Sequence, residues 1–288
     1  TAFVRTESTP FGVHTWDAWL RGERQAWLKE LDRAEREPGK LSGVLHFDIG
    51  SIFHALLALH YSLPSKEAQK RDTGRIRYKT SAGPLETAEF SEAIHEAERL
   101  YRAYRVHWPA NDLGKVIAIE KEYSMPLEGL DAEVTAGLDL VVKLGKRDLK
   151  RLNLDGAPGI YPVDHKTRGS RDPMEYELAL RDTQFSTYAA VLRAAGLDVQ
   201  GFIVNLVFKG ARPDFQRILV PRMALEAEWK VSEGALRLAA EARSRAQGAL
   251  ATRLPAARPG RGTCFTRSRV GWDFCRFYTN GQCHRRPC

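Results

Sequence analysis

The first 263 residues of this 288-residue chain contain no cysteine. That excludes a disulfide framework for the body of the protein, and a chain of this length buries a sufficient core without one. No stretch approaches the roughly 20 consecutive apolar residues that a membrane span needs. The opening segment, TAFVRTESTPFGVHTWDAWLRG, lacks the apolar core of a secretory leader. Reduced thiols, a cytoplasmic location and no membrane association are therefore expected. No internal repeat is visible. With 43% hydrophobic and 28% charged residues, what remains is the composition of a soluble globular protein of one sizeable domain or two smaller ones.

Acidic residues are nearly missing from the end of the chain. From residue 253 onward eight arginines stand against one acid, Asp273, so this tail carries +7 of a formal net charge of +8. A basic tail beside a nearly neutral body suits a polyanionic partner such as nucleic acid, bound through phosphate neutralisation and counterion release. A tail kept basic for solubility is the alternative.

Helical spacing of Trp16, Trp19, Leu20, Trp27, Leu28 and Leu31 predicts a helix or helix pair over residues 15–37, stopped at Pro38-Gly39. A second helix is predicted from Asp48 or Gly50 to Pro64, with His54, Leu57 and Tyr61 along one face. A third spans SEAIHEAERLYRAYRVH, with Ser91 as its cap and Ile94, Ala97, Tyr101 and Tyr104 as its apolar stripe. The pattern then changes to strands: VIAIEKEYSM (116–125), GLDLVVK (137–143), IYPVDHKT (160–167) and FIVNLVF (202–208). One helix is expected over 173–195 and another over 222–248. This order implies an α/β (α+β) fold, a central mixed sheet flanked by helices. The Pro/Gly/Arg stretch at 252–262 reads as a linker, which divides the chain into a body, 1–251, and a small cysteine-bearing tail, 252–288.

Two of those strands carry charge where a buried strand should be apolar. Ionised groups in a core are costly unless paired or bound to a metal. Residues two apart in a strand share a face, so Asp164 and Lys166 point together while His165 points away. Asp139 lies on the preceding strand, which can pair as a hairpin, so both aspartates can reach one divalent cation. Lys166 could then hold an attacking water. The spacing [DE]-x-K occurs three times, at 148–150, 164–166 and 228–230; the first and last fall in an expected loop and helix. A salt-bridged Asp/Lys pair at a strand edge is the plain alternative at 164–166.

GLDLVV, VDHKT and QFSTY, preceded by GSIFHALLALHY, together resemble the RecB-like branch of the PD-(D/E)xK nuclease superfamily over roughly residues 44–190. The resemblance implies a restriction-endonuclease-like core. It implies Mg²⁺ or Mn²⁺ held by His54, Asp139, Asp164 and the carbonyl of His165, with Lys166 as the catalytic lysine and Gln184 and Tyr188 facing DNA or bracing the site. Glu120 stands where relatives often place a glutamate, although Glu122 shares its expected strand face. The implied activity is a metal-dependent DNA nuclease, expected to be an exonuclease of phage or bacterial recombination, repair or CRISPR adaptation, working alone or with a protein partner in such a complex. A DNA-binding scaffold that kept the fold, a structure-specific endonuclease or an RNA nuclease are the alternatives.

All four cysteines, Cys264, Cys275, Cys283 and Cys288, fall within the last 25 residues, and no pair has C-x-x-C spacing. Some RecB-like nucleases bind a [4Fe-4S] cluster through one N-terminal and three C-terminal cysteines, and WDFCRFYTNGQC resembles the C-terminal part of that pattern. The N-terminal cysteine is missing here. The resemblance therefore leaves Cys288 as a replacement ligand, a Zn²⁺ site, or no metal in the tail, with His284 as a spare candidate.

Overall fold

The computed structural model describes residues 2–3, 45–63, 76–80, 83–85, 90–108, 113–128, 132–251, 265–268 and 271–274. The helix expected over 15–37, the linker and the four cysteines lie outside the described residues. The chain divides into two compact units. One comprises residues 1–12, 37–125 and 133–232; the other comprises 13–36, 126–132 and 233–288.

In the first unit, helix α1 (Leu45–Ser62) buries Ile49, Ile52, Phe53, Leu56, Leu57 and His60, an i, i+3, i+4, i+7 stripe that leaves His54 at its margin. A small sheet joins β1 (Ala2–Phe3) in parallel to β2 (Tyr78–Thr80), which pairs antiparallel with β3 (Gly83–Pro84). Helix α2 (Ser91–His107) packs on α1 and buries the expected Ile94, Ala97, Tyr101 and Tyr104. Its cap differs from expectation. Phe90 holds the cap position without a side-chain bond, and Ser91 is already helical.

Five strands follow: β4 (Lys115–Pro126), β5 (Glu133–Leu144), β6 (Gly159–Arg168), β7 (Gly201–Phe208) and β8 (Asp214–Pro221), in the spatial order 4-5-6-7-8. β6 pairs antiparallel with β5 and parallel with β7, and β7 pairs antiparallel with β8. The parallel step requires a crossover, which α4 (Glu175–Leu180) and α5 (Thr183–Ala194) supply. One helix was expected there. Asp182 divides it by capping α5, its carboxylate accepting from the Gln184 N–H at 2.8 Å. The expected loop after β5 holds helix α3 (Lys146–Leu152), closed at Asn153 in the left-handed conformation (φ 52°). β8 escaped the sequence pattern because Asp214, Gln216 and Arg217 interrupt its apolar residues.

Leu140, Val142, Leu144, Tyr161, Val163, Ile203 and Val207 share one core with α1 and α2. From α5, Phe185 and Tyr188 pack on Phe202 of β7, with ring centroids 4.6 and 6.3 Å apart. The result is a mixed sheet flanked by helices. Helix α6 (Arg222–Ala251) starts in this unit, where Arg222 and Arg193 both pair with Glu226.

Among the described residues of the second unit, Arg237 of α6 donates to the carbonyl of Glu128 at 2.5 Å. β9 (Phe265–Ser268) and β10 (Gly271–Phe274) form an antiparallel hairpin in which Phe265 pairs with Phe274. No described helix is long and apolar enough to cross a membrane.

Candidate active site

The charged residues of β5 and β6 meet at one end of their ladder. Its last regular pair is Leu140 with Val163, and Asp139 and Asp164 each come one residue further on. Asp139 there leaves ladder geometry: its Oδ2 accepts the main-chain N–H of His165 at 2.7 Å, while Oδ1 lies 3.3 Å from Nδ1 of His54. Helix α1 thus brings His54 across to the end of the strands. Glu120 joins them from β4, and one ligand atom from each of His54, Glu120 and Asp139 lies within 4.8 Å of the others.

Glu120 is unusual in its backbone as well. Its φ of +46° is rare for a residue with a side chain. Around it the alternation of β4 breaks: Val116, Ala118, Ile119 and Glu120 are partly buried, Lys121 and Glu122 are exposed, and Tyr123 and Met125 are partly buried again. Glu120 and Glu122 therefore do not share an environment, as strict alternation would require: Glu120 is half-buried and Glu122 is exposed. Strain of this kind persists where surrounding structure enforces it, commonly at functional sites.

Asp164 belongs to a second group beside the first. Its Oδ2 is 2.9 Å from Lys166 Nζ and its Oδ1 is 3.2 Å from the same atom. Lys166 also donates to Gln184 Oε1 at 3.2 Å, and Gln184 Nε2 donates to Tyr188 Oη at 3.0 Å. Gln184 and Tyr188, one turn apart on α5, thus brace the lysine rather than stand apart from it. Asp164 is not within the His54, Glu120 and Asp139 cluster, and His165 contributes its N–H there while its ring turns into the opposite layer.

Electrostatics separates the two aspartates. Burial disfavours the Asp139 carboxylate, but His54 and the nearby His165 with its main-chain N–H outweigh it and hold Asp139 well below the usual carboxylate range. Burial pushes Asp164 up to about 6, and repulsion from Asp139 adds to it while Lys166 offsets part. For His54, burial opposes the charge, yet Asp139, Asp164 and Glu120 together raise its pKa to about 9. Lys166 is desolvated too, but Asp164 and Asp139 raise its pKa and keep it an ammonium. Burial lowers His165 to about 3, so it is neutral.

A divalent cation fits this donor set. An imidazole nitrogen and two carboxylates converge, and the buried Oδ2 of Asp164 receives no aligned hydrogen bond despite its nearness to Lys166. The same accumulation of negative charge that raises His54 and Asp164 is what a cation would neutralise.

Residues 17–268 match the PD-(D/E)XK nuclease superfamily, and the chain belongs to it. The five-stranded mixed sheet flanked by helices is the restriction-endonuclease-like fold of that superfamily. Among solved structures, a candidate exonuclease from Eubacterium rectale is similar at 16% identity and a TM-score of 0.49, over 96% of this chain and 90% of its own. The protein SSO0001 is similar at 12% identity and a TM-score of 0.28, over 53% of this chain and 68% of its own. Comparison with curated proteins gives no match.

Sequence reasoning missed Asn205, Arg217, Tyr61 and Tyr104 as companions of the site. One signal was available: Asn205 is the single polar residue in the apolar run FIVNLVF.

Proposed function

We propose that this nuclease hydrolyses phosphodiester bonds in DNA as a Mg²⁺- or Mn²⁺-dependent exonuclease of the RecB-like branch. The observation that carries the reading is the buried Asp164, Lys166 and Gln184 group set beside the converging His54, Glu120 and Asp139. His54, Asp139 and Asp164, with Glu120 and the carbonyl of His165, would hold the metal. When bound, the metal supplies Lewis-acid stabilisation of charge on the phosphate and lowers the pKa of water.

The chain's own residues supply the rest. Lys166 is charged and pinned between Asp164 and Gln184. An ammonium so held can place a water and stabilise negative charge on the phosphate without reorganising during reaction. Gln184 fixes the lysine, and Tyr188 fixes Gln184. A bound cation and Lys166 would contact phosphate and not base edges, so little sequence preference is expected. The basic tail would add phosphate contacts.

The four cysteines are read as a thiolate site for a [4Fe-4S] cluster or Zn²⁺. Its support is their clustering within the last 25 residues of the chain. Iron, sulfide and zinc content of the purified protein separates the cases. A cytoplasmic role in recombination, repair or CRISPR adaptation, alone or in a complex, completes the reading.

The test is cleavage of end-labelled single- and double-stranded DNA with Mg²⁺, Mn²⁺ or EDTA, using the native chain and Asp164→Ala. Metal-dependent product that disappears in the variant supports the reading, and a ladder from one end supports the exonuclease. Product that survives Asp164→Ala removes it.

A further inference from the structure

The strand that carries Asp164 and Lys166 has a second face, and His165 is its central residue. In the sheet, His165 is the Cα partner of Asn205 on β7, and Asn205 is the partner of Arg217 on β8. Three adjacent strands therefore place a polar side chain on the same rung, facing Tyr61 of α1 and Tyr104 of α2. Asn205 is 0% exposed and His165 2%. An apolar rung would fill the same space without requiring any hydrogen-bond partner.

The donors and acceptors of this rung fit in one way. Arg217 can only donate, and its Nε lies 3.4 Å from Oδ1 of Asn205. That fixes the amide orientation, because turning it would set two donors against each other. The Asn205 Nδ2 then faces Nδ1 of His165 at 2.7 Å and Tyr104 Oη at 3.0 Å. An amide nitrogen cannot accept, so Nδ1 of His165 must, and the proton of the neutral ring sits on Nε2. Tyr104 Oη lies 2.7 Å from Tyr61 Oη, Arg217 donates to both, and the Tyr61 ring stacks on the imidazole of His165 (centroids 6.0 Å, 9°).

Through its main chain, His165 is one hydrogen bond from the site. The His165 N–H donates to Asp139, and its ring meets that of His54 edge-on at 6.0 Å. We propose that Asn205 is a positioning residue: by tethering His165 through Nδ1 it holds the His165 N–H that aims Asp139 at His54 and the metal. The inference rests on reading His54 and Asp139 as metal ligands. Outer partners of this kind typically change metal affinity by about tenfold or more when removed.

The test combines ¹⁵N NMR of the His165 imidazole with Mn²⁺ calorimetry on the full chain. The native protein should show His165 as the Nε2–H tautomer. Asn205→Leu should weaken Mn²⁺ binding about tenfold. Asn205→Asp, able to bridge His165 and Arg217 through the opposite tautomer of His165, should recover most of that loss. An Nδ1–H tautomer in the native protein overturns the inference, and that result needs no variant to fold. Unchanged Mn²⁺ affinity in Asn205→Leu, or equal losses in Asn205→Leu and Asn205→Asp, also overturns it. If the native chain binds Mn²⁺ no better than Asp139→Ala, the metal-site reading fails first and the inference falls with it.

Discussion

Asp148-Leu149-Lys150 and Asp164-His165-Lys166 present the same charges at the same spacing. In α3, Asp148 accepts from the Gly145 N–H at 2.9 Å and pairs with Arg151, so it caps a surface helix. In β6, Asp164 is buried and shares its lysine with Gln184. A helix turns residues i and i+2 to different sides, whereas a strand keeps them together. The tripeptide becomes chemistry only where the backbone period aligns its charges and burial removes the water that would screen them.

The comparison breaks most visibly in cleavage assays. Asp164→Ala or Lys166→Ala should lower the rate by about 10³-fold or more, and Asp148→Ala and Lys150→Ala should leave it unchanged. Comparable losses in both pairs would remove the distinction.

A pH experiment asks how far burial alone controls charge. His60 is buried on α1, and desolvation, with Arg105 and Arg217 nearby, lowers its pKa to about 4. Between there and about 6.5 the unfolded chain binds more protons, so stability rises with pH through that window and is lost as pH falls. Urea unfolding should show the native protein losing roughly 2 to 3 kcal/mol more than His60→Phe between pH 7 and 4.5. Parallel losses would count against buried, neutral His60.

Smaller effects distinguish strain from capping. Glu120→Gly should change the stability of the metal-free protein by no more than about 1 kcal/mol, relief of the positive φ being offset by the backbone entropy of glycine and the lost attraction to His54, while weakening Mn²⁺ binding measured by calorimetry. Asp148→Ala should cost about 1 kcal/mol or less in urea unfolding, through loss of the cap.

Strands β5, β6 and β7 were legible because their apolar runs are nearly continuous, and α2 because its stripe keeps helical spacing. β8 was not, since polar residues on its partly buried face imitate a loop. The break between α4 and α5 was hidden because Asp182 is an ordinary charged residue until its carboxylate meets the Gln184 N–H. Within the site, the strand period indicated that Asp164 and Lys166 share a face. The bracing of Lys166 by Gln184 required the crossover to be folded, and the positive φ of Glu120 has no signature in VIAIEKEYSM.

The polar rung also constrains the order of folding. Tyr61 and Arg217 meet across 156 residues of chain, and Tyr104, His165 and Asn205 lie between them in sequence. Contacts of such separation are slow to close and form only when both distant segments are in place. Until β8 has docked, Asn205 has no arginine to orient its amide, and the N–H beneath Asp139 is not yet held by this rung. A nascent chain would therefore carry its charged tripeptide long before it had a competent site, and would gain hydrolytic capacity late in assembly.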